Sequence, residues 1–362
     1  MKYIDEFRNP RLVKRLAANI SGSNPGVKIN IMEVCGTHTQ NFYRFGLPGL
    51  LPGNIRLISG PGCPVCVSPQ GYIDSAIALA KNKDLIIATF GDMLRIPGTS
   101  SSLEREKARL GNVRVAYSPL DALAIAENNP DKQIVFLAVG FETTAPAIAL
   151  TVLEAKRKKL KNLSFFSSLK LIPPAMRHLL SDKRLKIDGF LCPGHVSAVI
   201  GTRGYEFIPK QYKIPCCVAG FEPVDILEAI LIIIGQIILH KACVANQYAR
   251  VVTESGNILA QGVINRVFEP GDSNWRGFGV IPDSGLELRK EFSAFDAKRI
   301  FSISGKTART RIAGKCRCAD VLKGIISPDA CVLFAKACNP DNPIGPCMVS
   351  SEGACNAYYK FR

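Results

Sequence analysis

The sequence predicts an α/β protein: two similar domains with parallel sheets, followed by a third, loop-rich region. Three observations predict it. Short runs rich in Ile, Val, Leu and Phe alternate with segments of helical apolar spacing from about residue 27 to 244, the pattern of parallel strands covered on both faces. VGFETTAPAIAL (139–150) and AGFEPVDILEAI (219–230) both read strand, Gly-Phe-Glu, helix, a short internal repeat that implies two units of one design. After about residue 245 the alternation fades, and six cysteines crowd the stretch from Cys316 to Cys355.

Taken in order, strands are expected at VKINIMEV (27–34), IRLISG (55–60), DLIIATF (84–90), VRVAY (113–117), QIVFLAV (133–139), LSFFSSL (163–169), IDGFLC (187–192) and IPCCVAG (214–220). YIDSAIALAKNK and LDALAIAENN between them have helical spacing. A boundary is expected near the basic run KRKKLK at 156–161. This gives Rossmann-like domains over 27–155 and 156–244. Residues 1–26 and 245–362 are expected to make the third domain. That region lacks the apolar content for its own core, so a metal would have to staple it.

Composition narrows the function classes. Hydrophobic residues are 47% and charged residues 21% of 362, which suits a soluble chain with room for two or three cores. MKYIDEFRNP is charged and has no apolar leader segment. The most apolar run, ILEAILIIIGQIIL (226–239), is short and holds Glu228 and Gln236, so it reads as a buried helix rather than a span. A cytoplasmic protein off the membrane is the expectation. In a reducing compartment thirteen cysteines point to metal or redox chemistry rather than a disulfide framework. The net charge of +16 comes with no aromatic platform or nucleic-acid motif, and is compatible with an acidic protein partner.

In open parallel sheets, ligands bind beyond the carboxyl ends of strands. Cys35, His38, Cys63, Cys66, Asp92, Glu142, Cys192, His195 and Glu222 all follow predicted strands and are expected to line crevices. Cys63 and Cys66 form a C-x-x-C on the loop GPGCPVCVSP (60–69), a pattern open to structural zinc or to redox use. Cys35 is the obvious third thiol, with His38 near, and three soft thiolates suit iron or zinc with one position open. The segment 70–82 reads as a helix, and its dipole is expected to lower the pKa of a cysteine on that loop. The glycine- and proline-rich C-terminal stretch could wrap a cubane iron–sulfur cluster or hold zinc, and spacing alone does not choose the ligands.

MEVCGTH, GPGCPVCV, FGDMLRIPG, VGFETTAP, LCPGHVS, GFEP and the terminal C-x-C…CVLF…C…CMVSSEGAC together resemble the HypD family of hydrogenase maturation factors, in order from about residue 30 to 355. The resemblance implies two similar α/β domains plus one holding a [4Fe–4S] cluster. It implies a scaffold on which the Fe(CN)2CO group of [NiFe]-hydrogenase is assembled from iron (Fe2+). Its partners would be a HypC-type small chaperone that shares the iron and a HypE-type donor presenting cyanide as a thiocyanate, with the chain a monomer in that hetero-complex. Carried over, Cys35, Cys63 and Cys66 match the iron and thiol-redox cysteines, and His38 the histidine of the same loop. Glu142 falls in the GFETTAP motif. The cluster ligands would be Cys316, Cys331, Cys338 and Cys355, with Cys318 and Cys347 in the same motif. Gln40 stands where many members carry a second histidine, and Cys216 and Cys217 match no motif position.

Three functions follow: a redox-active scaffold that cleaves the thiocyanate reductively, a non-catalytic interaction scaffold, and a general iron–sulfur oxidoreductase. The absence of a flavin or dinucleotide glycine fingerprint counts against the last.

Overall fold

The structure, a computed structural model, describes residues 5–109, 111–303 and 316–362. Residues 1–4 and 304–315 of the expected third region lie outside them. The strands are β1 (Ile29–Glu33), β2 (Ile55–Ser59), β3 (Leu85–Thr89), β4 (Val113–Val115), β5 (Gln133–Gly140), β6 (Leu163–Leu169), β7 (Gly189–Pro193), β8 (Cys216–Ala219), β9 (Val244–Asn246), β10 (Phe268–Trp275) and β11 (Gly279–Leu288). Each of the first eight coincides with a run expected from sequence, β5 and β7 extending one residue past theirs. Those of β1, β3 and β7 are buried along their whole length, because helices cover both faces of a parallel sheet.

Two parallel sheets carry the fold, in the orders β2-β1-β7-β8-β9 and β4-β3-β5-β6. The sheets do not follow the sequential division 27–155 and 156–244. The chain lays down β1 and β2, leaves to build the whole second sheet, and returns at β7 to pair with β1 (Ile31↔Gly189). Gly189 is required at this junction, since a Cβ there would lie 2.5 Å from Ile233. The basic run at 156–161 is therefore no boundary. It closes the helix Ala145–Arg157 and leads straight into β6 of the same sheet. The Gly-Phe-Glu repeats do sit at corresponding places, one after β5 and one after β8.

The expected third region is also divided. The helix Pro10–Gly22 has Asn9 as its N-cap, accepting from the amides of Arg11 and Leu12, and Pro10 at its first position. It lays Leu16 and Ile20 against Ile226 and Ile230 of the helix Pro223–Ile238, on the first sheet. That second helix holds residues 226–238 of the apolar run and buries Ile226, Leu227, Ala229, Ile230, Ile233 and Ile234, while Ile232, Ile238 and Leu239 are exposed. The antiparallel hairpin β10–β11 packs on the second sheet, with Phe268 and Leu286 in one core with Phe165. Among the described residues, 316–362 remain, as the short helix Cys318–Leu322 and turns ending in the helix Ala354–Phe361. No helix among the described residues is long and apolar enough to cross a membrane.

Candidate functional site

Strands β1 and β2 are neighbours, so the loops that follow them meet. The amide of Gly60 donates to the Glu33 carbonyl at 2.7 Å, and the amide of Gly36 to the Gly62 carbonyl at 3.0 Å. Gly62 lies so close that a Cβ would sit 2.2 Å from the amide nitrogen of Cys35; only glycine permits this approach. Cys35 is the N-cap of the helix Gly36–Arg44. Cys63 is the N-cap of the single turn Pro64–Val67, which holds Cys66. Pro64 suits the first position because it has no N–H to satisfy.

All three thiols are buried, Cys66 completely. Burial pushes Cys35 up to about 12, against the amides of His38 and Thr37 that face its sulfur, while Glu352 and Glu33 add to the rise. Burial likewise raises Cys66 well above the ordinary thiol value. The lowered pKa expected from the helix dipole is therefore overturned for Cys66: desolvation of a fully buried sulfur outweighs the partial charge of a helix end.

The sulfur of Cys66 lies close to those of Cys63 and Cys347, Cys347 close to Cys318, and Cys318 close to Cys316, each near enough to influence the other's ionisation. These contacts join the C-x-x-C loop to the C-terminal cysteines. Cys316, Cys318, Cys331, Cys338, Cys347 and Cys355 line one cavity of about 20 Å³ with Leu333, Phe334 and Met348. The amide of Ile344 donates to the sulfur of Cys338 at 3.3 Å. Gly345 leaves room for the sulfur of Cys316, which would be 2.6 Å from a Cβ there. Burial raises Cys355 well above the ordinary thiol value, and Cys318, which the neighbouring Cys316 thiol pulls down, is taken up to about 12 by the Cys347 thiol and by burial.

A donor set of six thiols, one of them already receiving an amide hydrogen, fits an iron–sulfur cluster. Loading would release their protons. Among the described residues no three His, Cys, Asp or Glu side chains form a group ready to hold a single ion. This includes Cys35, Cys63 and Cys66, although their loops converge.

The other expected site residues scatter. His38 is fully buried, with Nε2 donating to the Gly220 carbonyl at 2.8 Å and Nδ1 without a partner. Burial lowers it to about 4, so it is a neutral imidazole. Phe221 stacks against both His38 and His195, at 4.7 and 3.9 Å between ring centres. Glu142 ends the second sheet. It accepts from the amide of Ile172 at 2.8 Å, its Oε2 is buried without a partner, and burial raises it to about 7. No hydrogen bond among the described residues joins it to Cys35, Cys63 or Cys66. Of the residues expected to line crevices, Cys192 is instead wholly buried in the core shared with Cys216 and Val218, because its strand is central to the first sheet. Asp92 is exposed, and Glu222 is paired with Arg8.

Sequence reasoning missed two carboxylates beside Cys35. Glu33 is 1% exposed, accepts from the Cys35 amide at 3.2 Å and from the Thr39 hydroxyl, and burial raises it to about 8. Glu352 accepts from the Thr37 hydroxyl at 2.6 Å. A charged residue closing the apolar strand INIME was the available signal for Glu33. Nothing local marks Glu352.

The HypD family model, described as "Hydrogenase formation hypA family", matches residues 11–362. The chain is 46% identical to "Hydrogenase maturation factor HypD" of Azotobacter vinelandii, covering 100% of this chain and 97% of the relative. It is 45% identical to the protein of that name in Cupriavidus necator and 44% to that in Escherichia coli K12, covering 97% and 98% of those relatives. A full-length match at this identity, on a chain whose thiol motifs meet around two adjoining loops, places the chain in the HypD family of hydrogenase maturation factors.

Proposed function

We propose that the chain serves hydrogenase maturation as a redox-active scaffold on which iron receives its cyanide ligands. The observation that carries this reading is that six C-terminal cysteines line one cavity while the sulfur of Cys66 lies 4.0 Å from the carbonyl of Pro346, the residue before Cys347. Cys316, Cys331, Cys338 and Cys355 would hold a [4Fe–4S] cluster, which leaves Cys318 and Cys347 between it and the C-x-x-C pair. When bound, such a cluster supplies single electrons to nearby sulfur.

The chain's own residues would then act in two steps. Cys63 and Cys66, as dithiol, reduce a partner's thiocyanate: R–SCN and two Cys–SH become R–SH, CN⁻, H⁺ and one disulfide. Cys347 and Cys318 then reduce that disulfide by thiol–disulfide exchange. Cys35, with the reduced pair, holds the iron as cargo, and Glu33 and Glu352 surround its loop. The partners would be a HypC-type chaperone that shares the iron and a HypE-type cyanide donor, in a reducing cytoplasmic setting that suits thirteen free thiols.

The test is anaerobic purification followed by iron and sulfide analysis, with about four of each per chain expected for a [4Fe–4S] cluster. Cys63→Ala and Cys66→Ala should keep the cluster but abolish hydrogenase maturation and infrared-detected iron cyanide. A colourless zinc protein would refute the cluster. The burial of all three thiols favours the second reading, a non-catalytic scaffold, and maturation at the wild-type rate by both variants would establish it.

A further inference from the structure

Strand β2 is an edge of the first sheet, with only β1 beside it. Its even-numbered residues turn their backbone groups to β1: the Ile29 amide donates to the Asn54 carbonyl at 2.8 Å, and the Gly60 amide to the Glu33 carbonyl at 2.7 Å. Backbone groups alternate sides along a strand, so the amides and carbonyls of Leu57 and Ser59 point outward. No backbone partner for these groups occurs among the described residues.

This edge lies at the bottom of a groove. Every residue from Ile55 to Ser59 lines one cavity of about 270 Å³. Leu51, on one wall, packs against the same core as Leu57. Gly324, on another, lies against Ile58, where a Cβ would come within 2.2 Å of Cγ2. Adjacent residues of a strand point to opposite faces, so walls rise on both faces of the sheet and leave the unpaired edge between them. A free edge is a template for one more strand, and a groove of this kind takes an extended peptide by main-chain bonds.

The groove is also cationic. Arg56 and Arg362 line it, and no Asp or Glu side chain does. Arg362 donates to the Tyr358 hydroxyl, which donates to Asp329 at 2.6 Å. Arg56 is exposed and makes no ion pair or hydrogen bond among the described residues. A second copy of the chain would bring a second Arg56 and a second net charge of +16, so self-pairing is disfavoured and an acidic occupant favoured. Beyond Ser59 the chain runs directly into GPGCPVC, so a peptide laid along β2 leads to the C-x-x-C loop.

We propose that the outer edge of β2 receives an extended, acidic peptide of the thiocyanate-bearing partner as a sixth strand of the five-stranded first sheet. The proposal rests on the scaffold reading of the C-x-x-C loop and adds where that partner is held. Leu57 and Ser59 supply the main-chain bonds, Arg56 meets an acidic side chain, and the thiocyanate lies past Ser59, on the side of Cys63.

The experiment titrates the full-length HypE-type partner, in its thiocyanate form, into anaerobically purified full-length wild type, R56E and L57P. Affinity is read by calorimetry, and amide exchange residue by residue by mass spectrometry. Proline at 57 removes one outward amide and no bond to β1, a change an edge strand tolerates. On binding, the amides of Leu57 and Ser59 should gain protection, while those of Arg56 and Ile58, already turned to β1, should not change. R56E should weaken binding about tenfold and L57P about fivefold, and added salt should weaken wild type more than R56E. If L57P does not fold, as judged by its unfolding midpoint, R56E and the exchange pattern decide. Binding that leaves Leu57 and Ser59 unprotected overturns the edge site and leaves the scaffold reading intact, as does an affinity of R56E equal to that of wild type. Protection of both amides in the free chain, with a mass that rises with concentration, shows a second copy on the edge and also overturns it. A wild type that does not bind the partner rejects both.

Discussion

The thiol of Cys66 donates to the carbonyl oxygen of Pro346 at 4.0 Å, which places it beside Cys347. This contact joins a loop of the first sheet to the C-terminal cysteine cavity. Cys347→Ala should therefore cut the thiol series without removing a proposed cluster ligand. Iron should stay at about four per chain. Under reductant delivered through the cluster, Cys63 and Cys66 should remain oxidised, as read by alkylation and mass spectrometry. Loss of iron in this variant would instead make Cys347 a ligand.

Gly62→Ala tests the junction of the Cys35 and C-x-x-C loops. The added Cβ would sit 2.2 Å from the Cys35 amide nitrogen and 2.4 Å from its Cα. Backbone atoms cannot swing aside, so the loops must part, at about 1–3 kcal/mol as for other overpacked sites. The denaturant midpoint should fall, and Cys35 and Cys63 should alkylate faster than in wild type.

Glu33 predicts a pH dependence with a definite sign. Folded, it keeps its proton to about pH 8, while an unfolded glutamate loses it near 4.3. Between those values the folded state binds more protons, so stability falls as pH rises, by at most about 1.4 kcal/mol per unit. Glu33→Gln should flatten that limb in urea unfolding between pH 5 and 8. Glu142, raised to about 7, contributes a slope of the same sign that should persist in the variant.

His38 acts on the acid side. Its folded pKa is lowered to about 4, against about 6.5 unfolded. From 6.5 down to 4 the unfolded state binds more protons, so stability falls with falling pH. His38→Gln should reduce the loss measured between pH 6.5 and 4.5, and an unchanged slope would show that the ring titrates freely in the folded chain.

The expected strands were legible because their signals are local. INIME, LIIAT and QIVFLAVG are short apolar runs bounded by turns, and the helix Gln70–Ala80 shows its spacing plainly. The motif residues Cys35, Cys63 and Cys66 could be placed at strand ends for the same reason. Glu352 could not, because what makes it notable is a bond to Thr37 far away in the chain.

By itself the sequence determined the α/β class, the order of its strands and helices, and the gathering of six cysteines at one end. Apolar periodicity and turn residues act within a few positions of each other, and the chain carries them wherever it goes. Only the tertiary structure decided that β7 returns to β1, that Cys66 lies beside Cys347, that His38 turns toward Gly220, and that burial raises the Cys66 thiol on the loop where a helix end was expected to acidify one. Each of these depends on which distant segment removes water from a group, and pairing across a sheet is selected by the fit of whole faces rather than by any residue's neighbours in sequence.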